Sequence, residues 1–158
     1  MSESLKDLAS RPEIIVSLFI AYWFVLMLLI ARLTGWARLA DSYQAATPFT
    51  GKRWRWQSIQ TRWLTHYGNC VTIGANAEGL HVSLLFLFRI GHPQLFIPWR
   101  EISVKPVKGW LCRGVELRFS GAPAIPVYIS ERLAQRIAAA AGGAWPGESF
   151  FLLVKWMM

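Results

Sequence analysis

Proton transfer, nucleophilic attack and metal binding all need particular side chains at particular spacings. Past residue 50 the candidates are His66, His81 and His92, Cys70 and Cys112, and Glu78, Glu101, Glu116, Glu131 and Glu148. A metal site draws its ligands from short recurrent spacings. Here only His66 and Cys70 fall four apart, a helical spacing in a segment that reads as strand and turn, so no metal is expected. A Ser or Cys nucleophile needs a base within reach and an acid to orient that base. No Asp follows residue 50, and the Glu residues stand singly, mostly at turns or helix starts. The carboxylate pair of glycoside chemistry has no signal here, and neither Gly-rich phosphate loop is present. The expected function is therefore binding or scaffolding without a cofactor. The alternative is an enzyme whose site is assembled from residues distant in sequence.

The cluster Lys52-Arg53-Trp54-Arg55-Trp56, with Arg62-Trp63 further on, interleaves cations with aromatics. On an extended strand, alternation puts Arg53 and Arg55 on one face and Trp54 and Trp56 on the other. Such a pattern can stack nucleic-acid bases. It can equally meet a lipid surface, where each cation gains about 1 kcal/mol from acidic headgroups and Trp favours the interface. It can also simply bury its Trp residues in a core.

The elements that position these residues begin with a membrane signal. Ile14 to Ala31 is 18 consecutive residues without a charge, Pro or Gly. A helix of that length rises roughly 27 Å, close to the hydrocarbon thickness of a bilayer. A cleaved signal has a shorter apolar core, a basic start and a small-x-small site. This run is flanked by mixed charge (Glu3, Lys6, Asp7, Arg11, Glu13) and followed by Arg32-Leu33-Thr34-Gly35-Trp36. A transmembrane helix over 14–36 is expected, with residues 1–13 as a polar head. Arg32 is expected to snorkel to the phosphates and Trp36 to sit at the interface. The lipid bilayer is thus the first expected partner.

Lys6 and Arg11 precede the span, while Arg32, Arg38, Lys52, Arg53 and Arg55 follow it. This bias places the N-terminus outside and the C-terminal domain in the cytoplasm of a bacterial inner membrane. The net charge of +8 is spread along the chain, as suits a domain facing anionic lipid, so nucleic acid is not an expected partner. Cys70 and Cys112 read as reduced thiols in that setting, or as one disulfide if the domain is exported.

Residues 37–50 read as a connector. From residue 51 the texture is short β segments with turn punctuation. Strands are expected within Trp54–Tyr67, then over Cys70–Gly74, Leu80–Phe88, Gln94–Pro98, Trp99–Pro106, Gly114–Phe119 and Ile125–Ile129. Turns are expected at Gly68-Asn69, Asn76–Gly79, Arg89–Pro93, Lys108-Gly109 and Gly121–Pro123. A helix then starts at an N-cap, Ser130, and stops at Gly142-Gly143. Its apolar stripe is Leu133, Ala134, Ile137, Ala138 and Ala141. The expected fold class is α+β: one transmembrane helix, then a small, mostly antiparallel β domain over 51–143 with one closing helix. By element order this is the layout of pleckstrin-homology-like domains, a bent sheet or barrel with the helix over an open end.

Leu84–Phe88 is apolar on both strand faces, which a one-sided sheet does not need. Either this strand is central and covered on both sides, or one face meets lipid or another protein; in so small a domain the second is expected, with Phe86 and Phe88 in the contact. The tail 144–158 carries Phe150, Phe151 and Trp156 with little charge around them, so it must dock on its own domain, the bilayer or a partner.

Several phrases, Trp54-Arg55-Trp56-Gln57-Ser58, Tyr67–Asn76, Gly79-Leu80-His81-Val82-Ser83, Phe88–Pro93 and Ile97–Ile102, together resemble a group of small uncharacterised bacterial membrane-anchored proteins. The resemblance covers Leu33 to Trp99. It implies a bacterial inner-membrane setting and carries over no catalytic or binding residue.

The span makes a direct prediction. Replacing Leu26 and Leu29 together with Arg adds two charges, each costing roughly 2.5–3.5 kcal/mol within a bilayer. The double variant is expected to leave the membrane fraction. Retention through carbonate extraction at the parent's level would contradict the single span.

Overall fold

The computed structural model describes residues 10–61, 65–108 and 113–147. Helix α1 runs Pro12–Leu33, 22 residues, or about 33 Å. Pro12 stands in the first turn, where its missing N–H costs no helical bond. The helix is long and apolar enough to cross a membrane, and only 11% of its most apolar stretch is buried. A soluble core helix would be covered on most sides. The buried residues of α1, Met27 and Ala31, lie one turn apart on the face toward the domain.

Thr34 and Gly35 turn the chain. Gly35 has φ +85°, and a Cβ there would stand 2.6 Å from Ile125 Cδ1. Glycine alone tolerates both conditions. Helix α2 (Trp36–Tyr43) follows at once and buries Trp36, Leu39, Ala40 and Tyr43, the i, i+3, i+4, i+7 face of an amphipathic helix. The anchor helix thus stops at Leu33 rather than 36, and part of the segment read as a connector is a core helix. Arg38, Asp41 and Ser42 on its outer face disguise the stripe.

Seven strands follow: β1 (Lys52–Thr61), β2 (Thr65–Ala75), β3 (Gly79–Leu84), β4 (Leu95–Pro98), β5 (Ile102–Lys108), β6 (Arg113–Phe119) and β7 (Val127–Ser130). They form one antiparallel sheet in the order β4-β3-β2-β1-β7-β6-β5. Strand β1 pairs with β2 along its length and with β7 only at Gln60 and Thr61. The sheet curls into a half-barrel around Ile59, Val71, Ile73, Leu80, Leu117 and Phe119. Helix α3 (Glu131–Ala141) packs on it through Leu133, Ala134, Ile137 and Ala141. The Ser130 hydroxyl accepts from the Leu133 N–H at 3.3 Å, and Gly142 closes the helix in the left-handed region at φ +59°. The α+β class, the bent sheet and the closing helix are as the pattern predicts.

Several strand limits differ from expectation. β3 ends at Leu84, and Phe86–Phe88 is a 3-10 turn. A second 3-10 turn, Trp99–Glu101, precedes β5, and the last strand is Val127–Ser130. Gly68-Asn69 lies inside β2 rather than at a turn. From Trp54 to Gln57, β1 takes three steps against two on β2 (Ile73 to Val71); from Gln57 to Ile59 it takes two against four (Val71 to Tyr67). These are facing bulges, and each holds a left-handed residue, Trp56 at φ +59° and Asn69 at φ +49°. They break the alternation expected for Arg53–Trp56. Trp54 packs half-buried on the core, while Trp56 is 63% exposed.

The core contact of α3 has a measurable consequence. Ile137 is fully buried and Arg136 beside it is exposed. Ile137→Ala is expected to cost about 2–5 kcal/mol through lost contact and the cavity left behind. Arg136→Ala should stay within about 0.5 kcal/mol of the parent. Thermal unfolding of the full chain in detergent checks the pair. Equal melting temperatures would place α3 outside the core.

Candidate membrane-seating surface

When β3 stops at Leu84, backbone groups lose their ladder partners and must find others. The Leu85 N–H still donates to the Cys70 carbonyl at 2.9 Å. Beyond it, four successive carbonyls are satisfied locally. Leu84 O accepts from Arg89 Nε at 3.3 Å. Leu85 O accepts from the Phe88 N–H at 2.9 Å, and Phe86 O from the Arg89 N–H at 3.2 Å. Leu87 O accepts from the indole Nε1 of Trp23 at 3.3 Å. The turn therefore presents side chains outward with its carbonyls paired, and those side chains are apolar: Phe86 is 81% exposed and Leu87 65%.

The turn is held along α1. The Trp23 ring also meets the Phe88 ring at 5.9 Å. Further on, Gly91 (φ +71°) brings its backbone so close that a Cβ would lie 3.0 Å from Leu28 Cδ2 and 3.3 Å from Ala31 Cβ. Trp23 precedes Leu33 by ten residues, about 15 Å along the helix. The exposed apolar turn thus lies beside the middle of α1, at the same depth.

Where α1 enters the domain, a buried polar chain ties the two together. The Tyr67 hydroxyl stands 2.8 Å from Thr34 Oγ1 and 3.2 Å from His92 Nε2, and His92 Nδ1 is 3.0 Å from the Ile90 carbonyl. A carbonyl only accepts, so Nδ1 carries a proton, while the Tyr67 hydroxyl donates to Thr34 Oγ1 and lies against Nε2. Burial pushes the His92 imidazole below the ordinary histidine value and the Tyr67 phenol above its own. The Cys70 thiol is likewise raised by burial, which disfavours a reactive thiolate. Above them Trp36 donates from Nε1 to the Pro93 carbonyl at 3.0 Å and sets its ring edgewise to Tyr67 and His92, 5.8 and 5.4 Å away.

Phe86 and Phe88 are gathered at this surface, with Phe88 turned half inward. Arg32 is exposed on the last turn of α1. Trp36, expected at the lipid interface, is instead 2% exposed, because the Gly35 turn swings it into the core. Lys52, Arg53, Trp54, Arg55 and Trp56 do not form one patch. Arg53 donates to the Phe49 carbonyl and covers the Phe49 ring, at the end of β1 paired with Gly74; Lys52 and Arg55 are exposed. Phe150, Phe151 and Trp156 lie outside the described residues, as do Arg62, Trp63 and Cys112. Among the described residues no group of three His, Cys, Asp or Glu is placed to hold a metal. Sequence reading weighed His92 only as a possible metal or catalytic histidine and passed over Thr34 and Tyr67; the three meet only in the fold. Trp23 did carry a signal, since a Trp away from the ends of an apolar run needs a partner for its N–H.

Compared with known proteins, the chain matches no family profile, no curated protein and no solved structure.

The buried histidines set a pH dependence. His92 and His81 are both held below the ordinary value of 6.5, first by burial. Below about pH 6.5 the unfolded chain therefore binds more protons than the folded one, and stability must fall with pH. The melting temperature of the full chain in detergent is expected to drop between about pH 7.5 and pH 5.5. His92→Gln should flatten that slope without abolishing it, because His81 remains. A melting temperature that rises on acidification would show that these histidines are not held neutral.

Proposed function

We propose that this chain is a single-pass, membrane-anchored binding module of a bacterial inner membrane, with its β domain in the cytoplasm. It serves as an accessory or scaffolding subunit that holds a pleckstrin-homology-like surface against the bilayer, and it acts by binding rather than by catalysis. The observation that carries the reading is the turn at 85–88. It pairs its carbonyls, exposes Phe86 and Leu87, and is hydrogen-bonded to Trp23 halfway along a helix able to cross a membrane. Paired carbonyls lower the cost of bringing this turn against the bilayer. In water, two such side chains would each forgo roughly 1.5–3 kcal/mol of burial. The positive residues after α1 support the cytoplasmic side.

Cysteine accessibility tests depth and side together. In a background with Cys70 and Cys112 replaced by Ser, Phe86→Cys and Arg136→Cys are exposed to a membrane-impermeant maleimide. Arg136→Cys should label in inverted inner-membrane vesicles and stay unlabelled in spheroplasts. Phe86→Cys should be protected in both. Labelling of Arg136→Cys in spheroplasts would reverse the orientation. Labelling of Phe86→Cys as fast as Arg136→Cys in inverted vesicles would remove the seating.

A further inference from the structure

We propose that the crevice between α1 and the bulged β1–β2 hairpin binds one acyl chain of a phospholipid, entered sideways from the bilayer. This rests on the membrane-anchored reading above and adds a ligand to it. The cavity has a volume of about 640 Å³, within the range of small-molecule sites. Met27, Ile30 and Leu33 of α1 form one wall, and Trp56, Leu85 and Phe88 face them.

Three observations point to a lipid tail. The first is position. The α1 wall occupies the last two turns of the helix, so the mouth opens where hydrocarbon gives way to headgroups. Leu33 and Trp56 at the rim are both exposed, so the opening is apolar where tails already surround the helix. The second is chemistry. Water filling such a space needs two to four polar partners. The hydroxyls and imidazole behind the wall, on Thr34, Tyr67 and His92, are bonded to one another. The third is strain. Among the described residues Trp56 and Asn69 are the two non-glycine residues at positive φ, and both line this crevice. The left-handed region is uncommon for Trp, less so for Asn, and such residues gather at binding sites. Here they sit at the register shifts of the hairpin, and Trp56 lines the crevice with most of its side chain exposed. On the β2 side, His66 and Asn69 stand at the lip, where a glycerol or phosphate group would meet hydrogen-bond donors.

The test uses the full chain in vesicles of phosphatidylethanolamine and phosphatidylglycerol, doped with a phospholipid that carries a diazirine on one acyl chain. After photolysis, peptide mapping should find the label on the outer side of α1 and also on residues 65–70 of β2, which ordinary boundary lipid does not reach. Ile30→Trp and, from the opposite wall, Cys70→Phe should each fill the crevice and lower β2 labelling several-fold while labelling of α1 persists. If α1 is labelled and residues 65–70 are no more labelled than the β5 strand, the crevice holds no tail and the anchor reading stands. If α1 itself escapes the label, the membrane reading fails and takes this proposal with it. A photoadduct bridging 65–70 to a second polypeptide would overturn the lipid in favour of a protein occupant. Labelling of 65–70 that neither variant reduces would also overturn it.

Discussion

The junction between α1 and the β domain leaves no slack, and the rest of the arrangement depends on that. Two residues, Thr34 and Gly35, separate the apolar helix from α2, and both are buried. Thr34 is bound to Tyr67 on one side, and Trp36 is locked to Pro93 on the other. A linker of flexible residues would let a tethered domain sample many poses. Here the direction of α1 dictates which part of the domain is carried alongside it, and that part is 85–92. The glycine at 35 is the smallest unit of this constraint. A side chain there would meet Ile125, and an ordinary φ would aim α2 away from the sheet.

The same logic explains why a strand of continuous apolar text stops early. Leu84–Phe88 has the composition of a buried strand, and β3 could in principle run on beside β2. β4, however, pairs with β3 only as far as Val82, so an extended 84–88 would leave its other edge as a row of unpaired backbone groups. A 3-10 turn closes its bonds over three residues, and Arg89 and Trp23 supply the remaining donors. Apolar residues on both faces then make sense without a second sheet layer, because the side chains radiate from a turn.

Elements whose pattern is local were legible in the sequence. α1 is a length of uncharged text, α3 lies between a Ser cap and a Gly stop, and β6 alternates Val115, Leu117 and Phe119. What was not legible depends on long-range compensation. α2 is too short and too charged to stand out, and its stripe acquires meaning only once the sheet receives it. The bulges at Trp56 and Asn69 shift register by one and two residues, which no period-two count detects. They turned an orderly Arg/Trp alternation into residues that serve different places. For the candidate site, Phe86 and Phe88 were readable as excess apolarity. Thr34, Tyr67 and His92 come from three separate elements and carry no spacing to betray them, and Trp36 looked like an interface Trp because its distance from the apolar run was right.

Energetically the turn at 85–88 is a minor partner of α1, and that is why its contribution is to orientation. A helix of this length and apolarity is by itself enough to hold a chain in a bilayer, and two more buried side chains would add roughly 3–6 kcal/mol. For attachment this is superfluous. For a domain already tethered, the entropy of bringing the turn to the membrane has been spent on α1, so the same energy acts almost entirely on pose. At 1.4 kcal/mol per factor of ten, even about 3 kcal/mol favours the seated arrangement by roughly a hundredfold over one that lifts the turn into water. The Trp23–Leu87 bond and the Gly91 approach to Leu28 and Ala31 belong to that same pose, so the domain's own packing along α1 favours it as well.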